Sequence, residues 1–380
     1  MYNHTQDKPV TVYDLLSQSA RSALKLQRED GSFPPSQNAH YEEQLTPVRT
    51  TSHWMVTFSE LYRIEKNSRY KEAAENAANY LLSSNCRPYG KSFHARISEN
   101  KDSCNGLMGQ AIPIWALAKS YKCLKREDLL ELAIEVAQFH PFDKSLGVWN
   151  RVEIDGTILS FDRTLNHQIA FAAAISEIDE LCEEVSNELN CFLSNLKNRM
   201  ETRQQGLIRH LMKTPYITRQ SYKNIKQAVN SAWNRLFFEL NQKSTSVYEK
   251  EVGYHSVNLL WLSKIKNNLP QHPVWGIEPL SNAIEYIYTK EYHKEINGNY
   301  LGFTETLTGI HNATAIKSLG DKNKKVIQGW IETQINRSYD ESKSMLGKDA
   351  SSPSHVASEA CHLTEFIDLE LFTTKNEGKS

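Results

Sequence analysis

A glycine followed by a bulky apolar residue recurs along the first half of the chain at a nearly constant spacing. The glycines are Gly31, Gly90, Gly147 and Gly206, which stand 59, 57 and 59 positions apart. An aromatic or aliphatic residue follows each of them within three positions. This period accommodates two helices of ordinary length and two connections, which predicts an antiparallel helical hairpin as the unit. One hairpin cannot bury its apolar stripe alone, so the hairpins must stack against each other.

Apolar residues recur at helical spacing in almost every part of the chain. We predict a single all-α domain over residues 1–375, a six-hairpin (α/α)6 toroid with short β-turn loops, in which Pro113 kinks the second inner helix. A polar segment at about 207–250 interrupts the period and is predicted to be an insertion. The alternative is an open helical solenoid whose concave face binds a protein or peptide. The predicted inner helices lie at about 50–64, 105–122, 163–181, 252–268, 303–319 and 354–370.

The charge balance narrows the range of partners. The 380 residues include 44 Lys+Arg and 45 Asp+Glu, a net charge of −1, and no basic run. Nucleic acid is therefore not expected as a partner. No stretch has the ~18 apolar residues of a membrane span. The polar start, without a secretory signal, and six scattered cysteines predict a cytoplasmic protein with reduced thiols.

Polar and ionisable side chains gather at the starts of the six predicted inner helices. Because these helices run in the same direction, their starts meet at one rim of the toroid. Helix starts offer free N–H groups and a partial positive charge, which favour an anionic ligand. These residues are Arg49, Thr50, His53, Trp54, Asn105, Gln110, Asp162, Arg163, Asn166, His167, Gln168, Glu251, Tyr254, His255, Glu305, His311, Asn312, His355, Glu359 and His362.

The densest of these clusters is residues 160–168, where Asp162 precedes a helical face that carries Arg163, Asn166 and His167. If burial raises the pKa of Asp162, this carboxyl group can serve as general acid or base. It is equally explained as a helix N-cap. We predict Asp162, His53 and His167 as catalytic residues, although a helical histidine such as His53 is more often a core residue. The predicted substrate-binding residues are Arg49, Trp54, Asn105, Gln110, Trp149, Arg163, Asn166, Glu251, Tyr254, His255 and Glu305.

Metal and cofactor sites have little support in the sequence. His355, Glu359 and His362 share one helix face and are compatible with a metal site, but we predict no metal. Motifs for a zinc protease, a serine hydrolase, a phosphate-binding loop and a dinucleotide fold are absent from the sequence. No cofactor is predicted.

Four segments together resemble a known family. They are residues 46–54 (TPVRTTSHW), 104–110 (CNGLMGQ), 140–143 (HPFD) and 161–168 (FDRTLNHQ). The combination resembles the Q-protein family of agl surface-glycan assembly clusters, which is similar in fold to unsaturated glucuronyl hydrolases and other six-hairpin glycosidases. The resemblance is best over about 15–174. It implies a role in building or trimming a surface glycan that contains uronic acid, with an acidic oligosaccharide or a lipid-linked glycan as the partner.

The first expectation for function is a carbohydrate-active enzyme of the glycoside hydrolase type. Asp162 would be its acid/base, and Glu251 or Glu305 would be the second carboxylate. The alternative is a hexuronic acid epimerase or isomerase, or a lyase, in which His53, His167 or Tyr254 transfer the proton. A non-catalytic glycan-binding protein would keep the polar rim and would need no carboxyl group with a shifted pKa.

Overall fold

The computed structural model describes residues 11–38, 43–214 and 225–371. Part of the predicted insertion and both ends of the predicted 1–375 domain lie outside these residues. Within them the helices are α1 Val12–Ala23, α2 Val48–Glu65, α3 Ser68–Leu82, α4 Met108–Leu124, α5 Glu127–Gln138, α6 Leu165–Ile175, α7 Glu183–Arg199, α8 Ile225–Leu240, α9 Thr245–Asn268, α10 Glu278–Tyr286, α11 Lys290–Gly298, α12 Thr308–Ser318, α13 Lys324–Ser338 and α14 Pro353–Ser358. Helix α14 continues into a 3₁₀ helix, Glu359–Phe366.

Six helices form a closed inner ring. Helix α2 packs on α4, α4 on α6, α6 on α9, and α9 on α12. The 3₁₀ helix that extends α14 contacts both α12 and α2, which closes the ring. The inner helices are nearly buried all round, as the Ala-rich stretch of α6 shows, and α1, α3, α5, α7, α10 and α13 precede them as outer partners. The prediction of an (α/α)6 toroid is confirmed.

The repeated loops hold each hairpin to the next outer helix. Gly31 has φ +86°, and a Cβ atom there would lie 2.1 Å from the carbonyl oxygen of Asn76 in α3. Gly206 has φ +103°, and a Cβ atom would lie 2.0 Å from the carbonyl oxygen of Asn282 in α10. Only glycine permits both the left-handed backbone and this close approach. All four periodic glycines have a positive φ, and at Gly31 and Gly206 the close approach of an outer helix adds a second reason for glycine.

The apolar residue after each glycine is buried, and its backbone N–H is bound by a side chain of an inner helix. The acceptor is Thr51 for Phe33, at 3.0 Å, and Gln110 for Phe93, at 2.7 Å. The same contact is repeated in the next two hairpins, with Gln168 accepting from Trp149 and His255 from Ile208. These hydrogen bonds compensate backbone groups that the loop would otherwise bury without a partner.

Short strands lie at the end of the ring where the inner helices start. They form three antiparallel sheets: β1 Gln37–Asn38, β2 Glu43–Leu45 and β3 Arg96–Ile97; β4 Phe142–Asp143, β5 Val148–Val152 and β6 Ile158–Phe161; β7 Tyr339–Asp340 and β8 Met345–Leu346. Gln44 of β2 pairs with both Gln37 and Ile97. Residues of the first two sheets line the rim at which the inner helices begin, and β8 contacts α14.

Two local expectations can be compared with the helices. Pro113 lies inside α4, which continues from Met108 to Leu124 as one helix. The predicted insertion contains α8, and α9 begins at Thr245 rather than near residue 252. Among the described residues, no helix is both long enough and apolar enough to cross a membrane.

Candidate active site

A cavity of about 240 Å³ opens at the rim where the inner helices begin. Residues from all six inner helices line it, together with the loop that carries His210. Six of the eleven histidines within the described residues face this one space. They are His53, His167, His210, His311, His355 and His362. Such a concentration of imidazoles indicates proton transfer or dense hydrogen bonding to a polar ligand.

On one wall, at the start of α6, Asp162 holds His167. The Nδ1 of His167 lies 2.9 Å from the carboxylate of Asp162. The same carboxylate accepts hydrogen bonds from the backbone N–H groups of Leu107 and Thr164. Burial alone would raise the pKa of Asp162, but the hydrogen bonds and the imidazole outweigh it and hold the pKa well below 3.8. The expectation that burial raises this pKa is therefore wrong, and Asp162 is an ionised partner of His167.

On another wall, formed by α14 and its 3₁₀ extension, Glu359 lies beside His355. The Nε2 of His355 is 3.3 Å from Glu359, and the nearest contact of Arg49 to the same carboxyl group is 3.8 Å. Burial raises the pKa of Glu359 to about 7, although the charge of Arg49 opposes this shift. Burial, and then the charge of Arg49, holds the pKa of His355 well below 6.5. This carboxyl group therefore keeps its proton up to near-neutral pH.

The two walls lie on opposite sides of the cavity. Helix α6 is the third inner helix and packs between α4 and α9. Helix α14 and its 3₁₀ extension form the sixth position, between α12 and α2. The third and sixth members of a closed ring of six face each other. His167 and His355 are each the third residue of their helix, which places them at a similar depth.

Deeper in the cavity, three more histidines cluster. The ring centroids of His53 and His362 are 5.8 Å apart, as are those of His311 and His362. Burial lowers the pKa of His311 to about 3, so this imidazole is neutral. Both ring nitrogens of His311, Nε2 of His53 and Nδ1 of His362 are buried without a protein partner. Buried polar atoms normally have partners, so these nitrogens are candidates for binding ligand hydroxyl groups.

A groove continues from the cavity past His167. It runs between residues 96–107 and the hairpin of β5 and β6, and Asp162 lines it. Three of its charged groups form a network, since Asp102 contacts both Arg96, at 2.9 Å, and Arg151, at 2.7 Å. Asp102 also accepts a hydrogen bond from the backbone of Gly106. The groove is therefore polar and is lined by both basic and acidic side chains.

The cavity brings together seven of the predicted site residues: Arg49, His53, Asn105, Asn166, His167, Tyr254 and Glu305. Asp162 lines the adjoining groove. Glu305 is held at the cavity edge by Ser351, and Tyr254 stacks on His210. The buried Asn166 has a side-chain oxygen without a partner. Six predicted residues do not line the cavity: Trp54, Gln110, Trp149, Arg163, Glu251 and His255.

Each of these six residues makes a structural contact instead. Gln110 and His255 accept the loop N–H groups described above, and Trp149 is a loop residue whose indole N–H donates to Glu188 at 2.9 Å. Trp54 is buried against Phe33 and Phe58. Glu251 pairs with Arg203. Arg163 lies over the ring of Phe237 in α8, 5.8 Å from its centroid.

Five further residues line the cavity without a predicted role in sugar chemistry. Four of them are at the predicted helix starts, namely His311, His355, Glu359 and His362, and the fifth is His210. The signal for the first four was their shared rim. His210 follows the Gly206 loop, where no periodic feature of the sequence points to it.

One cluster has the composition of a metal site. The ligand atoms of His53, Cys361 and His362 lie within 4.8 Å of one another. This set differs from the His355, Glu359 and His362 set that helical spacing suggests. Burial, and then nearby positive charges that include Lys264, holds the pKa of His362 well below 6.5. The same repulsion would oppose a metal cation.

Comparison with solved structures identifies the fold class. A cellobiose 2-epimerase from Bacillus thermoamylovorans B4167 matches with a TM-score of 0.63 and 10% sequence identity, covering 93% of this chain and 98% of that one. An α-1,6-mannanase from Salegentibacter sp. HEL1_6 matches with a TM-score of 0.54 and 11% identity, covering 93% and 98%. The chain thus has the toroid fold found in sugar epimerases and glycosidases.

The sequence comparison identifies the family. Archaeal glycosylation protein Q of Haloferax volcanii is 34% identical over 364 residues, which cover 94% of this chain and 98% of that protein. No family model matches the chain. The chain belongs to the family of archaeal glycosylation protein Q, in agreement with the resemblance found in its sequence motifs.

Proposed function

We propose that this protein is an epimerase or isomerase that transfers a proton at a carbon atom of an acidic sugar during the assembly of a glycan. The observation that carries the proposal is the pair of histidine–carboxyl units on opposite walls, one with an ionised carboxylate and the other with a protonated one. Inversion at a carbon atom needs a base on one face of the sugar and an acid on the other. The relative, a glycosylation protein, and the fold of sugar epimerases support this choice.

On the α6 wall, His167 is the proposed base. Its Nδ1 is bound to the Asp162 carboxylate, so the imidazole carries hydrogen at Nδ1 and its Nε2 is left to accept a proton. The ionised Asp162 then stabilises the imidazolium that forms. About a quarter of the His167 side chain is exposed, at 26%, so a ligand in the cavity can reach it.

On the α14 wall, the Glu359–His355 pair is the proposed acid. The electron pair of the broken C–H bond passes into the sugar carboxylate, and the carbon then takes the proton of Glu359 from the opposite face. Glu359 is left as a carboxylate beside Arg49, which stabilises it. Exchange of protons with solvent then restores the neutral imidazole of His167 and the protonated carboxyl group of Glu359.

Arg49 is the proposed anchor of a substrate carboxylate. Arg96 also lines the cavity but is paired with Glu43 and Asp102. The Nε of Arg49, by contrast, is buried without a protein partner, and the contact of Arg49 with Glu359 is loose at 3.8 Å. A guanidinium can bind a carboxylate through two parallel hydrogen bonds. Neutralising the carboxylate also makes the adjacent C–H bond more acidic. We therefore propose a hexuronic acid residue, reacting at C5, as the substrate.

Glycoside hydrolysis is the second candidate, favoured by the pKa of Glu359. A carboxyl group that keeps its proton to about pH 7 is suited to protonate a leaving glycosidic oxygen. Glu305 lines the same cavity and could be the second carboxylate. Asp162, with its lowered pKa, is no longer our candidate for the acid.

The experiment is incubation of the protein with uronic-acid oligosaccharides, saturated and 4,5-unsaturated, in deuterated water. Proton NMR and mass spectrometry then follow the products. Deuterium at C5 without cleavage of the chain is the result expected of the proposed epimerase. Fragments without deuterium at C5 would support the hydrolase instead, and binding without either change would contradict both enzymes.

A further inference from the structure

Helix α8 exposes an apolar stripe. Of twelve large apolar residues that are exposed in the described part of the chain, five lie on this one helix. They are Val229, Trp233, Leu236, Phe237 and Leu240. At 100° per residue they fall within an arc of about 100°, whereas the buried Asn234 and Phe238 fall outside it. Trp233, at 61% exposed, and Leu240, at 71%, dominate the stripe.

The opposite face of α8 is fixed to the rim beside the cavity. Asn234 donates hydrogen bonds to the carbonyl of Met212 and the hydroxyl of Thr214. Phe238 packs under the guanidinium of Arg209, the neighbour of the cavity residue His210. The stripe therefore faces outward on a helix that is attached next to the mouth of the cavity.

The chain around α8 is basic. From Glu201 to Glu251 the sequence contains nine Lys+Arg and four Asp+Glu, a net charge of +5 in a chain whose total is −1. Three of the basic residues pair with three of the acidic ones: Arg203 with Glu251, Lys213 with Glu201, and Arg235 with Glu239. The surplus remains after these pairs are formed.

We propose that α8 docks the protein on the surface of an anionic lipid bilayer. A helix with Trp, Phe and Leu on one face lies in the interfacial plane of a membrane, and basic residues around it add attraction to acidic lipids. Docking in this way brings the cavity mouth next to the bilayer. If the proposed function holds, a glycan carried on a lipid would then reach the cavity.

The charge also argues against a second copy of the chain as the occupant. A two-fold dimer would place this same surface on both sides of the interface. Two copies of a segment with a net charge of +5 would then be brought together and would repel each other. An anionic lipid surface is complementary to both the apolar stripe and the charge.

The test uses the full chain with lipid vesicles and no sugar, so its outcome is independent of the proposed reaction. Sedimentation compares vesicles of phosphatidylcholine with vesicles that also contain phosphatidylglycerol. We expect binding to the anionic vesicles, reduced by salt, and a blue shift of the Trp233 fluorescence that Trp233→Phe removes. The double variant Trp233→Ser/Leu240→Ser should weaken binding by about tenfold or more.

The matched control is Tyr89→Ser/Leu181→Ser, which removes two similarly exposed apolar residues elsewhere. It should bind like the wild type, and circular dichroism should show both double variants folded. Equal binding of the two double variants would overturn the proposal, as would absence of binding to anionic vesicles. A dimer in analytical ultracentrifugation that Trp233→Ser/Leu240→Ser disperses would show that the stripe joins two copies instead.

Discussion

The two walls of the cavity use the same pair of residue types and reach opposite protonation states. On the α6 wall, the Asp162 carboxylate beside His167 also receives two backbone hydrogen bonds, which lower its pKa. On the α14 wall, the Glu359 carboxyl group beside His355 receives no such backbone bond among the contacts described, and burial raises its pKa to about 7. Both groups are buried, so the interaction with His167 and the hydrogen bonds to the Asp162 carboxylate decide which wall is charged.

This difference in protonation places a base on one side of the cavity and an acid on the other. A base backed by an ionised carboxylate faces an acid that keeps its proton to near-neutral pH. Two carboxyl groups in the same environment would offer two bases or two acids. Substitution of a histidine or a carboxyl group on either wall therefore tests this contrast most directly.

Replacing the base should have the largest effect. We expect His167→Gln to lower turnover by about 10²- to 10⁴-fold, because general-base catalysis contributes that much. Steady-state kinetics will measure this loss of turnover, with the substrate that the deuterium-labelling experiment identifies. His293→Gln changes an exposed histidine of α11 and serves as the control; equal turnover of His167→Gln and this control would remove His167 from the mechanism.

Replacing the acid should have a comparable effect and a signature in pH. Wild-type turnover should fall as the pH rises through about 7, because Glu359 then loses its proton. Glu359→Gln should lower turnover by about 10²-fold and abolish this fall. A pH–rate profile is the measurement, with the exposed Glu131→Gln as control. An unchanged alkaline limb in Glu359→Gln would assign that limb to another group.

The same raised pKa predicts a change in stability. Between pH 4.5 and about 7 the folded protein holds the Glu359 proton while the unfolded chain releases it. The free energy of unfolding should therefore fall with rising pH in this window. Urea denaturation should show that the fall is smaller in Glu359→Gln. An equal fall in both proteins would contradict the raised pKa.

Weakening the support of the base should have a smaller effect on turnover. Asp162→Asn leaves the imidazole in place but removes a charge-assisted hydrogen bond, so a loss of about 10- to 100-fold is expected. It should also destabilise the fold by about 1–3 kcal/mol at neutral pH. Because the folded pKa of Asp162 lies below 3.8, this stability difference should shrink as the pH falls below 3.8. Thermal unfolding at several pH values will measure it.

The smallest effect on turnover should come from Trp149. Trp149→Phe removes its hydrogen bond to Glu188 and part of the packing on Phe171 and Phe192. We expect a loss of about 1–3 kcal/mol of stability and no change in turnover. Denaturation and kinetics will separate these two effects. A large rise in KM with unchanged stability would instead show that Trp149 binds the sugar.

The fold could be predicted because each repeat contains local sequence features that recur at a regular spacing. Gly31 and its equivalents need a left-handed backbone beside an outer helix, and that requirement appears in the sequence as a regular spacing. The sequence predicts a helix at each of the six inner positions, although α9 begins seven residues before and α6 ends six residues before the predicted bounds. Helix α8 was not predicted, because it lies in the part of the chain where the period is lost.

The site could be predicted only in part, because the rim carries two kinds of polar residue. Gln110 and His255 look like ligand-binding residues, yet they bind the loop N–H groups of Phe93 and Ile208. Asp162 and Glu359 also look alike in sequence. Their pKa values depend on backbone N–H groups from other parts of the chain, such as that of Leu107, which spacing along the chain does not reveal.

The most direct test of two opposed walls is exchange of the C5 hydrogen with deuterium, starting separately from each of the two C5 epimers of the substrate. Wild-type protein should convert and label both epimers. His167→Gln and Glu359→Gln should both fail to interconvert the epimers, and each should still exchange the hydrogen of one epimer, a different one for each variant. If both variants lose or keep exchange of the same epimer, the proton is not passed between opposite walls and the account is contradicted.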